Sequence, residues 1–369
     1  MLFEPFQLRE LTIPNRLWMA PMGNWAALPH PSAPGRATDF HVAHYGARAA
    51  SGLGLVVVEA TAVSAAGRGT DHDMGLWRDD QIEPLRRVSD AIRHGGAVPA
   101  IQINHSARKG SLKLPWEGEG YIATEDGGWE LTAPSPVAAP GLPTPRELTL
   151  DDIGGIVEDY REAARRALAA GFAAIEIHAA HGYLLHTFLS PVSNFREDKY
   201  GGSLQNRMRL TLEIVDAIRS VWPTGLPLLL RISATDWLEG RSPAIPSWTL
   251  NDSAILTREA YERGVDLVDV SSGGMAAVPI PSNRTYQTDL AAELKRRTQV
   301  PVGAVGRITT ASQANDLLLN GHADVVLVGR SLLRNASWAN DAALELGCTP
   351  RYLRSYAHFL NKQSLEKVS

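Results

Sequence analysis

The chain predicts an α/β protein built as a (β/α)₈ TIM barrel, and three observations predict it. Eight short apolar, β-rich runs recur along the 369 residues, helix-like segments separate most of them, and the runs lack polar alternation. Strands buried on both faces read in this way, and strand–helix alternation repeated eight times closes a parallel barrel. The runs are Arg16–Ala20, Leu53–Val63, Val98–Asn104, Ala173–His178, Leu226–Ser233, Val265–Ser272, Val300–Gly306 and Ala323–Gly329. A doubly wound sheet is the alternative, but the Gly-rich dinucleotide turn it needs is absent after the first strand.

Helix starts and stops support the same reading. Thr149 to Asp152 opens a helix that Gly171 stops, and Thr249 to Gly264 and Thr310 to Gly321 repeat the pattern. Residues 1–15 read as a hairpin that closes the barrel bottom, with turn chemistry at Ile13-Pro14-Asn15. Residues 113–146 interrupt the alternation after the third strand, and a long βα insertion there predicts a cap over the C-terminal face. Trp116, Tyr121 and Trp129 are apolar surface this cap is expected to bury. The whole chain, 1–369, reads as one domain with a C-terminal tail from 347.

Composition narrows the function. With 44% hydrophobic residues, 21% charged and a net charge of −4, there is no broad basic field for nucleic acid or an anionic membrane. The single cysteine, Cys348, excludes an intramolecular disulfide, a cysteine-ligated iron–sulfur cluster and a cysteine zinc site. A charged, proline-bearing N-terminus and the lack of a membrane-length apolar run point to a cytoplasmic protein.

The chemistry gathers at predicted strand ends. The fourth strand runs into EIHAAHGYLLHTFLSPVSNFREDKYGGSLQNRMR, Glu176–Arg209, which places His178, His181 and Tyr183 within six residues. Neutral imidazoles can donate to a developing oxyanion, and a tyrosine can deliver a proton. A metal pair or a structural pair are the alternatives for the histidines, but no HExxH or suitable further ligands accompany them. Gly306-Arg307 and Gly329-Arg330 follow the last two strands, where this fold places a phosphate site. Arg231, rising from LLLR, is either a site cation or half of a structural ion pair. His105, Arg108 and Lys109 read as solvated loop charges, with Lys109 expected near the site or cap. His186, Asn194, Arg196, Asp198 and Arg207 read as locks on the loop after the fourth strand.

These motifs resemble the Old Yellow Enzyme family of FMN-dependent ene-reductases over essentially the whole chain, and most closely its bacterial xenobiotic-reductase branch. Ala60, RKG at 108–110, PWEG at 115–118 and Ser355-Tyr356-Ala357-His358 carry the branch likeness. The resemblance implies noncovalent FMN reduced by NADPH or NADH, and a small-molecule enone as oxidant. Ala20, Pro21, Met22, Gly23 and Ala60 would line the isoalloxazine, and Gln102 would bond its pyrimidine edge. Arg231 would face N1/O2, and Gly306, Arg307, Gly329 and Arg330 would hold the phosphate. His178 and His181 would grip the substrate carbonyl, and Tyr183 would protonate the α-carbon. Trp25 and Phe359 would contact substrate, with Phe359 or His358 reaching a neighbouring subunit of a homodimer or higher homo-oligomer. A tail packed on its own barrel is the alternative.

Two departures stand out. The branch has cysteine where Gly23 stands and tyrosine where Trp25 stands. Either the flavin potential and substrate shape have shifted, or Trp25 fills the space the cysteine vacated. The other functions left open are an oxidative reaction of a biosynthetic pathway and a flavin-holding binding protein.

Overall fold

Successive side chains of a strand point to opposite faces, and here the two faces sort into two separate cores. In the computed structural model, which describes residues 1–118, 120–240 and 246–366, strands Leu17–Met19, Leu55–Ala62, Val98–Asn104, Ala174–Ala179, Leu228–Ser233, Leu267–Ser271, Val302–Val305 and Val325–Val328 close into one parallel barrel. In chain order these are β3, β4, β5, β8, β9, β10, β11 and β12. Residue 119 of the expected insertion and 367–369 of the expected tail lie outside the described residues.

Ile175, Ile177, Leu228, Leu230 and Ile232 face outward and join the helices in the larger core. The alternate residues Ala174, Leu229, Leu267, Val98 and Ala100 fill the lumen with Trp18, Leu55 and Val325. The same inward parity then carries Gln102, Glu176, His178, Arg231, Ser233, Asp269 and Ser271 to the upper half of the lumen. The lumen is thus apolar below and polar above.

The expected hairpin is present. β1 (Phe6–Leu8) and β2 (Leu11–Ile13) pair antiparallel, and Leu8 and Ile13 join the lumen core as a plug. The chain reverses at Arg9, which has φ +51°, and Asn15 instead links β2 to β3, its side chain bonding Gly52 O and the Leu17 N–H.

Helices α1 (Asp39–Ala49), α2 (Ile82–His94), α3 (Leu150–Ala169), α4 (Leu184–Leu189), α5 (Leu204–Arg219), α6 (Leu250–Glu262), α7 (Thr288–Thr298) and α8 (Ala311–Leu319) surround the barrel. α9 (Arg330–Arg334), α10 (Trp338–Glu345) and α11 (Arg354–Glu366) end the chain. The start signals act as expected: Thr149 and Thr249 form reciprocal capping boxes with Asp152 and Asp252, and Thr310 caps α8.

The insertion covers the C-terminal face through few regular elements, a parallel pair of β6 (Thr132–Ala133) and β7 (Arg146–Glu147). Trp129 packs under the Arg68 guanidinium, 4.4 Å from its ring centroid, and the Tyr121 hydroxyl donates to Trp129 O. Trp116 corrects the expectation of burial, since it is 66% exposed. Arg108 is no solvated loop charge either. It is buried and donates to Val137 O, Ala138 O and Met275 O, pinning the cap to the loop after β10.

The loop after β8 is held as its polar residues suggested. Asn194 donates to Phe188 O and Tyr200 O, Arg196 to Asp198, Pro134 O and Leu148 O, and Arg207 to Leu189 O and Gly202 O. His186 faces Asp236 at 3.0 Å with both side chains fully buried, and Asp236 also accepts from the Ser190 hydroxyl and the Trp248 N–H. Replacing Asp236 by Ala strips three groups of their partner at once. We expect a loss of about 3 kcal/mol in urea unfolding, since each buried donor left without its partner costs about 1–3 kcal/mol.

Candidate active site

The upper lumen opens into a cavity of about 380 Å³ lined by Ala20, Pro21, Met22, Arg231, Gly306, Arg307, Gly329 and Arg330, together with Arg284 and Arg334. These elements meet because β3, β9, β11 and β12 deliver their C-terminal ends to one face. Gly306 has φ +115°, and a Cβ there would stand 2.9 Å from Gln287 Nε2. Only glycine fits that turn comfortably. Arg284, Arg307, Arg330 and Arg334 on the wall of this cavity suit a phosphate monoester. Arg307 is already engaged, donating to Ser282 O and Asn283 O and lying 4.9 Å from the Tyr286 ring centroid.

Arg231 is both a cavity residue and half of an ion pair. Its Nε lies 3.2 Å from Asp269 Oδ2, on the neighbouring strand and in direct register. Gln102 donates through Nε2 to Glu176 Oε1 at 2.7 Å, again between residues in register. Glu176 and Asp269 are fully buried. Burial, then the Asp269 charge, push the Glu176 carboxyl up to about 8. The proton belongs on Glu176 because Asp269 holds the guanidinium and Glu176 has only an amide. Ala60 sits where the β4–β5 register shifts between Val58 and Thr61, a bulge of the kind that redirects side chains near sites.

His178, His181 and Tyr183 come together as the spacing suggested. His178 is nearly inaccessible, and its ring stands edge-on to those of His181 and Tyr183 at 5.0 Å each. His178 Nδ1 accepts from the Ala180 N–H at 3.2 Å, which leaves the proton on Nε2. That Nε2 faces His181 Nδ1 at 3.3 Å, and His181 Nε2 meets Ser271 Oγ at 2.7 Å. Burial first holds both imidazoles well below 6.5, with Arg231 acting next on His178 and His178 acting next on His181. Burial and then the Asp73 charge push the Tyr183 phenol up to about 12, so it remains a proton donor. His181 has φ +61°, and its backbone N–H donates to Ser233 Oγ. Lys109 Nζ donates to His181 O at 2.7 Å and also to Gly274 O.

Trp25 packs on Gly23. A Cβ at Gly23 would lie 3.6 Å from the indole, so the ring occupies the space into which a longer side chain would extend. This favours the volume-filling account of the paired departure. The opposite edge of Trp25 meets Trp116 at 6.0 Å and 80°. Phe359 lines no part of this site in its own chain; it lies on α11 and is 71% exposed.

Five participants escaped the sequence reading. Arg334 follows Arg330 by one helical turn, and Arg284 comes from a loop without regular structure. Glu176, Asp269 and Ser271 share the inward parity of His178 and Arg231, a signal that strand alternation carried.

A family model for NADH:flavin oxidoreductases and NADH oxidases matches residues 1–347. An NADPH dehydrogenase of Listeria monocytogenes is 41% identical over 357 residues, covering 96% of this chain and 98% of its own. Morphinone reductase superposes with a TM-score of 0.75 at 29% identity, covering 95% of this chain and 90% of its own. A 2-naphthoyl-CoA reductase complex superposes at 0.80 with 24% identity; this chain spans 52% of that one, and the likeness is one of fold. The chain belongs to the NADH:flavin oxidoreductase / NADH oxidase family, the Old Yellow Enzyme family. It is an FMN-dependent oxidoreductase that uses a nicotinamide cofactor. Among the described residues no helix is long and apolar enough to cross a membrane.

Two glycines should respond differently to alanine. Gly23→Ala has room, and we expect stability to stay within about 0.5 kcal/mol of the parent. Gly306→Ala must hold a positive φ against Gln287, and we expect a cost of about 1–3 kcal/mol together with weaker FMN retention. Urea unfolding and FMN titration of the apoprotein check both.

Proposed function

We propose that the protein reduces the activated C=C bond of α,β-unsaturated carbonyl compounds at the expense of NADPH or NADH. The observation that carries this reading is the facing pair His178 Nε2 and His181 Nδ1, with Tyr183 edge-on beside it and the Arg231 cavity next to it. When bound, FMN supplies the hydride that it has taken from the nicotinamide.

Gln102 and Arg231 are the side chains that would meet the polar edge of FMN, with Ala20 to Gly23 and Ala60 along its ring. Gly306, Gly329, Arg330 and their neighbours would hold its phosphate. A carbonyl oxygen that enters between the two imidazoles replaces their mutual bond. His178 already presents Nε2–H. His181 donates from Nδ1 once the Ser271 hydroxyl donates to its Nε2, so Ser271 sets the tautomer of the second donor. Two donors on one oxygen draw charge from the alkene and favour hydride arrival at the β-carbon. Tyr183 then has the proton to deliver to the α-carbon.

The test is anaerobic reduction of the FMN-loaded protein by NADPH, followed by 2-cyclohexenone. Bleaching followed by reoxidation supports the reading, and a protein that bleaches but is not reoxidised by the enone counts against it. Tyr183→Phe should slow reoxidation by about 10²–10⁴-fold, the span of general acid catalysis, and leave reduction by NADPH nearly unchanged. Stopped-flow absorbance separates the two phases.

The pH dependence has a definite sign. Imidazoles held below their ordinary 6.5 stay neutral as acid is added, and a phenol raised to about 12 stays protonated as base is added. Enone affinity should therefore stay flat between about pH 7 and about pH 6, the window below the Lys109 and Glu176 titrations at about 8. A fall in affinity centred near the ordinary histidine range would contradict the neutral pair.

A further inference from the structure

Four side chains on four adjacent strands, β5, β8, β9 and β10, form a row at the floor of the cavity: Gln102, Glu176, Arg231 and Asp269. Parallel register places Gln102 beside Glu176 and Arg231 beside Asp269, all on the inward face. The group contains two carboxyls and one guanidinium, and both carboxyls are fully buried. Asp269 pairs by charge with Arg231 at 3.2 Å, although neither of its oxygens has a hydrogen-bond partner. Glu176 Oε1 accepts from the Gln102 amide, and Glu176 Oε2 has no hydrogen-bond partner. A second buried anion without a cation of its own would cost several kcal/mol, whereas a neutral acid does not.

We propose that Glu176 is a positioning residue of the flavin site, a neutral carboxylic acid that orients Gln102 and leaves Arg231 opposed by one carboxylate rather than two. The proposal rests on the placement of FMN over Arg231 and Gln102. With Glu176 protonated, the floor carries one positive and one negative charge. With Glu176 ionised it carries a net negative charge, and the attraction of Arg231 for an electron-rich ring is cancelled. The other groups around Glu176 do not replace this balance. His178 on the same strand is neutral, and from the loop after β5 the Lys109 charge bears on His178 and His181 instead.

The charge balance links protons to electrons. A hydride from the nicotinamide brings two electrons and one proton to the flavin, which gains one negative charge. Where Glu176 is already protonated, no further proton is required. Where Glu176 was ionised beforehand, the added negative charge draws one proton from solvent onto its carboxylate. The oxidant and reductant are the established pair, FMN and NAD(P)H.

The experiment measures the two-electron midpoint potential of the FMN-loaded protein across neutral and alkaline pH. In the parent protein the plot should steepen from one proton per two electrons to two, at the pH where Glu176 ionises beside the oxidised cofactor. In Glu176→Gln, which keeps the shape and the bond to Gln102, that bend should vanish. In Asp269→Asn the bend should move to lower pH, because the like charge that favours the neutral acid is gone. A parent plot without the bend, or a bend that survives in Glu176→Gln, overturns the proposal.

Infrared spectroscopy of the parent apoprotein gives an independent reading. A buried protonated carboxyl band should be present at neutral pH and fade in alkali, and its absence also overturns the proposal. A protein that shows this band yet retains no FMN would instead remove the cofactor placement, so the two failures are distinguishable.

Discussion

Every second side chain of a closed parallel barrel must enter a lumen from which water is excluded, and the rest of this structure depends on how that constraint is met. Below, the lumen takes Trp18, Leu55, Val98, Leu229 and Val325, and the N-terminal hairpin seals it with Leu8 and Ile13. Above, the same parity on β5, β8, β9 and β10 delivers Gln102, Glu176, Arg231 and Asp269. Polar groups are tolerated there because each meets a complement on the adjacent strand. The apolar half supplies the burial that holds the polar half in register, and the polar half supplies the chemistry.

The family signature divides along the same line between scaffold and site. His178, His181 and Tyr183 converge on the cavity face, whereas Asn194, Arg196, Asp198 and Arg207 spend their hydrogen bonds on backbone carbonyls and on each other. Ser203, near the end of the run, caps α5. A loop that must hold an imidazole at φ +61° needs such bracing, since a non-glycine residue leaves that region unless its surroundings hold it there.

Much of the fold was legible because burial on both faces writes itself into uninterrupted apolar runs: seven of the eight expected runs contain their strands, and the fourth strand runs one residue past its expected end, to Ala179. The helix starts were legible because Thr149, Thr249 and Thr310 have local partners three residues on. The histidine–tyrosine trio and the cavity glycines were legible through strand position. Contacts across long sequence distance were not. Nothing local says that Arg108 would hold Met275, or that Trp116 would stay exposed while touching Trp25. Asp269 and Glu176 could have been found by applying to them the same alternation that selected Arg231, because their strands leave the inward positions unambiguous.

Lys109 gives the cap a mechanical character. It sits at the entrance to the insertion, and its one ammonium joins the carbonyls of His181 and Gly274, on loops that leave β8 and β10. Burial, and then Arg108, bring that amine down to about 8, and the cation is held there by two carbonyl dipoles and the face of the Tyr183 ring at 5.9 Å. The cap is therefore tied to the barrel at its root by Lys109 and farther along by Arg108. Its outer edge meets the site at Trp25 through Trp116, and its root meets the backbone of His181 through Lys109. The base of the cap and the backbone of His181 are thus one mechanical unit, joined through a single ammonium.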